Sequence, residues 1–160
     1  ANGDILLFVD ADTTLIHNTL TGLVNAFNKK NVIGSTCTLF PASPDIRDVM
    51  LYMIYNTLAK ISVGTKKPQI AGSCCVYKRN AFEKVNGFDE NTRKFEDFDL
   101  SERISKFGKI AFVRNVFALT SNRRIKAWGR MGAIKKYAKF YLRHLLTGRA
   151  ISKKEYMPIR

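Results

Sequence analysis

A chain of 160 residues with 46% apolar and 25% charged residues has the composition of about one globular domain, for which disorder is not the default. Its longest apolar runs, ILLFV and VMLYMIY, fall short of the ~18 residues of a membrane span, and no basic stretch followed by a long apolar run marks a signal peptide. The net charge of +14 is concentrated: residues 121–160 hold 12 Lys and Arg against one acid, Glu155, whereas residues 1–120 hold 15 against 12.

In chain order, residues 4–10 read as a buried strand, followed by polar Asp12-Thr13-Thr14 as a helix start and by Leu20, Leu23, Val24 and Phe27 at helical spacing. NVIGSTCTLF is a short β-branched strand that stops at Pro41. Ser43, Pro44 and Asp45 open a helix whose Val49, Met50, Met53, Ile54, Leu58 and Ile61 make one apolar stripe, either core or an interaction face. QIAGSCCVYKR is a strand that contains a glycine, and NAFEKV is a short helix ending near Asn86-Gly87. EDFDLSERISKFGK is a helix with acids in its first turn and Gly108 at its end, in accord with the helix dipole. IAFVRNVFAL is a strand, and the remainder is mostly helical with irregularities at Gly129 and Gly132. Strands alternating with helices predict a three-layer α/β architecture, with residues 1–120 as the main body and 121–160 as a basic helical segment.

Cys37, Cys74 and Cys75 are odd in number and form neither a disulfide framework nor a zinc spacing. Cys74 and Cys75 are adjacent on a strand, so they point to opposite faces as small apolar fillers. A reducing, cytoplasmic compartment is expected.

Four constellations carry chemistry. Asp10-Ala11-Asp12 ends a buried strand, where open α/β sheets bind ligands. The pair either holds a hard divalent ion, Mg²⁺ or Mn²⁺, or forms a polar turn with Asp12 as a helix cap. Around the start of the later helix stand Asp89, Glu90, Glu96, Asp97, Asp99 and Glu102. Glu96 and Asp97 either serve as a base on a hydroxyl or merely favour the helix dipole. Arg123 and Arg124, with Lys126 and Arg130 behind them, suit phosphate oxygens or a solvated basic loop. On AIKKYAKFYLRHLL, Ile134, Ala138, Tyr141, Leu142 and Leu145 share a face, and Lys135, Lys136, Lys139 and Arg143 share another. That helix either docks on the core, the simpler account, or lies on an anionic membrane surface. His17 and His144 lack partners at metal-ligand spacing.

GDILLFVDADTTL, GSCCVYKRNAFEKVNGFDE, EDFDLSERISKFGK and TSNRR, in that order, resemble the catalytic half of family 2 glycosyltransferases of the GT-A fold, over roughly residues 1–125. The resemblance implies a mixed sheet flanked by helices, with the units that hold the nucleotide base preceding Ala1. It also implies a nucleotide-sugar donor and a divalent metal, with Asp12 as metal ligand and Asp10 at the ribose or metal. Gly72-Ser73 would line the donor and acceptor pocket, Arg123 and Arg124 would lie near the diphosphate, and Asp97, with Glu96 beside it, would be the catalytic base. Asn86-Gly87 stands where the family usually has Gly-Gly, and asparagine tolerates left-handed backbone.

The implied reaction is an inverting sugar transfer to a saccharide or lipid-linked hydroxyl, with the basic segment at the inner face of an anionic membrane. Nucleotidyl transfer is the rival enzyme class, since it also uses strand-end acids. A basic nucleic-acid-binding module would use the C-terminal charge but leaves both acidic clusters unexplained.

Overall fold

The computed structural model describes residues 1–89 and 96–147, apart from the side chains of Phe140 and residues 144–147. Glu90, the His144 and Leu145 side chains and the end of the basic segment lie outside the described residues.

Five strands form one mixed sheet in the order β1-β4-β3-β5-β2. β1 (Ile5–Val9) is antiparallel to β4 (Cys74–Lys78), with Val9 opposite Cys74. β4 is antiparallel to β3 (Val32–Pro41), and β3 runs parallel to β5 (Lys109–Thr120). The carboxyl ends of β1, β3 and β5 therefore share one end of the sheet with the start of β4, the end at which open α/β sheets take ligands.

Helices cover both faces. Leu23 of α1 (Thr19–Asn25) packs with Cys37, Leu39, Cys74, Val76, Val116 and Ala118, and Tyr52 and Tyr55 of α2 (Ile46–Ser62) lie against the same cluster. On the other face, Ala81 of α3 (Arg79–Lys84) and Leu100 and Ile104 of α4 (Glu96–Ser105) pack with Ile70, Cys75, Tyr77 and Ile110. Cys74 and Cys75 thus fill opposite faces as free, buried thiols. Asp45 caps α2 by accepting from the Arg47 N–H at 2.9 Å. Asn86 and Gly87, at φ 58° and 65°, close α3 in left-handed geometry, the conformation asparagine accommodates.

Three expectations need correction. Thr13-Thr14 is no helix start: Thr13–Leu15 forms β2, antiparallel to β5 with Thr13 opposite Thr120, because β-branched residues pair well on a sheet edge. Gly72 and Ser73 are not in a strand but in a turn before it, since β4 begins at Cys74. Among the described residues, the C-terminal helix leaves most of its apolar face exposed, with Tyr141 half-buried. Gly129, at φ 68°, divides it into α5 (Arg123–Trp128) and α6 (Arg130–Thr147), and Ile134, Ala138 and Leu142 remain exposed.

The stripe on α2 also faces outward, because the opposite, more polar side is needed inside. β3 pairs with β4 only through Thr36, which leaves the backbone of Leu39 open on that side. Buried Asn56 fills the gap: its Oδ1 accepts from Leu39 N–H at 3.0 Å and its Nδ2 donates to Leu39 C=O at 2.8 Å. Asn56→Leu leaves both groups unsatisfied and is expected to lower stability by about 2–4 kcal/mol in urea unfolding. A loss below about 0.5 kcal/mol would mean that the pairing carries no weight.

Candidate active site

Three consecutive residues before β4 are each held by a different element. The Ala71 N–H donates to Tyr55 Oη of α2 at 2.9 Å. The Gly72 N–H donates to Asp97 Oδ2 of α4 at 2.7 Å. The Ser73 carbonyl accepts from the Asp10 N–H, at the end of β1, at 3.3 Å. Asp10, Gly72, Ser73 and Asp97, four residues singled out in the sequence, are thereby joined through one short turn. Tyr55 was hidden among the apolar positions of its helix, where only the interruption by a phenol could have drawn notice.

Asp97 sits at the amino end of α4 and is partly buried. Burial pushes its carboxyl up to about 7, and the charge of neighbouring Glu96 adds to the rise, while the Gly72 and Phe98 N–H groups hold it back. A carboxyl poised there exchanges protons near neutral pH. Glu96 itself is exposed. A Cβ on Gly72 would lie 3.6 Å from Asp97 Oδ2, an ordinary contact, so the carboxylate packs closely on this backbone without being crowded by it.

Residues 10–12 carry the chain from β1, at one edge of the sheet, to β2, at the other. Asp10 anchors this crossing to the start of β4, and the Asp12 carbonyl anchors it to the end of β5 by accepting from the Ser121 N–H at 3.2 Å. The Asp12 carboxylate pairs with Arg123 Nε at 3.2 Å. Thr13 Oγ1, beside Asp12, is buried without a hydrogen-bond partner among the described residues. Also among these residues, no group of three or more His, Cys, Asp or Glu is gathered as a metal cage.

Arg123 is delivered by a clamp that sequence reading did not find. Asp48 on the inner side of α2 is 2% exposed. Its Oδ2 accepts from Ser43 Oγ at 2.8 Å and from Asn122 Nδ2 at 3.1 Å, and its Oδ1 from Arg130 Nε at 2.8 Å. Asn122 precedes α5 and Arg130 follows it, so one carboxylate holds both ends of the helix that begins with Arg123. Arg130 also pairs with Asp45. Burial alone would raise the Asp48 carboxyl, but the hydrogen bonds from Ser43, Asn122 and Arg130 prevail and hold it below the usual carboxylate range. Arg124 takes a different course: its Nη1 donates to Tyr137 Oη of α6 at 3.3 Å. His17 is exposed.

Against known families, residues 1–86, more than half of the chain, match the model of glycosyl transferase family 2. The chain belongs to that family. The match spans Asp10, Asp12, Gly72 and Ser73 and ends before Asp97 and the arginines. No curated protein matches the chain. Among solved structures it is similar to the mannosyltransferase PcManGT from Pyrobaculum calidifontis in complex with GDP-Man and Mn2+, with a TM-score of 0.59 and 19% identity. The similarity covers 87% of this chain and 40% of that one, so the family 2 chain described here spans less than half the length of that neighbour. The mixed sheet with helices on both faces is accordingly a glycosyltransferase fold.

The Asp48 clamp has a pH signature. A carboxyl whose folded pKa is depressed contributes stability that is present above its unfolded pKa, about 3.9, and is lost as pH falls through the folded value. Asp48→Asn is therefore expected to unfold more readily than wild type at pH 7, by about 2–3 kcal/mol, with the difference narrowing as pH falls below about 4. Thermal melts across that range check it; a gap independent of pH would contradict an ionised Asp48.

Proposed function

We propose that this family 2 protein transfers a sugar, with inversion, from a nucleotide-diphospho-sugar to an acceptor hydroxyl, and that Asp97 is the base. The observation that carries this reading is a partly buried carboxylate at the sheet's carboxyl end, oriented by the Gly72 N–H and poised near pH 7. Asp97 takes the proton of the acceptor hydroxyl as that oxygen bonds to the anomeric carbon. The bond from that carbon to the diphosphate oxygen breaks on the opposite side, and the nucleoside diphosphate departs. Attack opposite the leaving group inverts the anomeric configuration.

Two carboxylates on one turn, beside the unpartnered Thr13 hydroxyl, suit a hard divalent cation that keeps waters and takes phosphate oxygens as its other ligands. Asp12 and Asp10 would hold such an ion, Mn²⁺ or Mg²⁺, and when bound it would offset the negative charge gathered on the diphosphate. Arg123, which pairs with Asp12 in this structure, is within reach of the same region and offers a fork suited to phosphate oxygens. Gly72 and Ser73 border the space between donor and base. The binding of a nucleotide sugar by the structural neighbour supports a donor of that class. The acceptor is a saccharide or a lipid-linked hydroxyl, and the basic C-terminal segment favours enzyme action at an anionic membrane.

In the full-length enzyme, Asp97→Asn is expected to lower kcat by about 10²–10⁴ with little change in KM for the donor. The wild-type kcat/KM should rise with pH through a midpoint near 7, since the base acts unprotonated. Wild-type rates in Asp97→Asn would remove the assignment.

A further inference from the structure

The outer side of α2 is polarised the wrong way for a helix in water. Ile46, Met50, Met53, Ile54, Leu58 and Ile61 are each 50–67% exposed. At 100° per residue they fall in one stripe, which runs nearly the whole helix, about 23 Å at 1.5 Å per residue. The polar side chains of α2 are spent inward instead: Asp48 on the clamp, Tyr55 on Ala71, Asn56 on Leu39, and Ser62 Oγ on the Gln69 N–H at 2.8 Å. Single exposed apolar residues are ordinary on a surface, but a contiguous stripe of six marks a contact face.

The charges around the stripe identify its partner. Arg47 borders it on one side near the start and Lys60 on the other near the end, both exposed, and Lys66 follows beyond the helix. The acids at this end are shared among arginines: Asp45 binds both Arg47 and Arg130, and Asp48 is buried with Arg130, so Lys60 and Lys66 are the cations beside the stripe that stand in no ion pair among the described residues. The one polar side chain within the stripe, Thr57, already donates to the Met53 carbonyl at 2.8 Å. The face thus offers no directional hydrogen bond of its own, only apolar area bordered by cations. α6, tied to the start of α2 through Arg130, adds exposed Met131, Ile134 and Leu142 and exposed Lys135, Lys136 and Lys139.

We propose that α2 is a membrane-surface helix, which lays its outer stripe into the headgroup and acyl boundary of an anionic bilayer while Lys60, Lys66 and the exposed lysines of α6 meet the lipid phosphates. A stripe one helix wide, apolar along its length and flanked by exposed lysines, complements a fluid anionic interface. This inference rests on the membrane reading given above but assigns the apolar contact to α2 rather than to the basic C-terminal segment. It also places lipid on the side of α2 away from the sheet, with the inner side of the same helix holding the Ala71 turn and the Arg123 clamp of the active site.

The test is co-sedimentation of the full chain with vesicles of phosphatidylcholine alone and of phosphatidylcholine with phosphatidylglycerol. Wild type is expected to bind the anionic vesicles, and the double variant Met53→Glu/Ile54→Glu to bind them at least about tenfold more weakly with an unchanged thermal melt, since both positions are exposed. Leu58→Trp should show blue-shifted emission on the same vesicles, beyond any change from Trp128 in the wild type. If the double variant binds as wild type does while salt still releases both, the basic segment alone holds the membrane and the α2 assignment is overturned. Failure of wild type to bind either vesicle overturns the membrane reading along with it. A double variant that changes sedimentation of the free protein but not vesicle binding overturns the assignment in favour of self-association.

Discussion

The turn Ala71-Gly72-Ser73 is the point on which the rest of the structure depends. Three backbone hydrogen bonds leave it in three directions, to Tyr55 on α2, to Asp97 on α4 and to Asp10 at the end of β1. Each satisfies a main-chain group that would otherwise stand open at the end of the sheet. Together they bind the helix layers on opposite faces of the sheet to the same three residues. The carboxylate of Asp97 gains a fixed orientation from this arrangement, and its burial raises its affinity for a proton. Structure and chemistry therefore share one cause: the contact that closes the turn also holds an acid partly out of water.

A second constraint acts beside the first. The chain leaves β1 at Asp10 and reaches β2, the far strand of the order, after only Asp10-Ala11-Asp12. Asp12 is held there by the end of β5 and faces Arg123, whose helix is fixed at both ends by Asp48. α2 consequently serves two ends of the site through its inner side, and its apolar residues are left for the outside. The unusual polarity of this helix follows from what its inner side has to satisfy.

Much of the fold could be read from local pattern. The β-branched run before Pro41, the Ser43-Pro44-Asp45 entry and the acid-led helix at Glu96 each specify their element through residues within a few positions. The Asp10-Ala11-Asp12 turn and the Glu96-Asp97 pair stood out for the same reason, as charges placed where a buried element begins or ends. What escaped depends on distant partners. Thr13–Leu15 becomes a strand only because residues 118–120 are there to pair with it, and Asp48 looks like an ordinary first-turn acid until Asn122 and Arg130 arrive from more than 70 positions away. The stripe on α2 carries the periodicity of a core helix, and periodicity alone does not say which side of the helix is inside. That choice was made by Asn56 and Tyr55, polar residues with backbone partners to meet.

The central claim is that the turn at Gly72 orients a partly buried carboxylate, and that its burial gives it a base's affinity for protons. A site-resolved NMR titration of the Asp97 carboxyl tests it without reference to substrate. A midpoint raised to about 7 is the expected result. A midpoint in the ordinary range, about 3.9, would show the carboxylate to be solvated and free of that role.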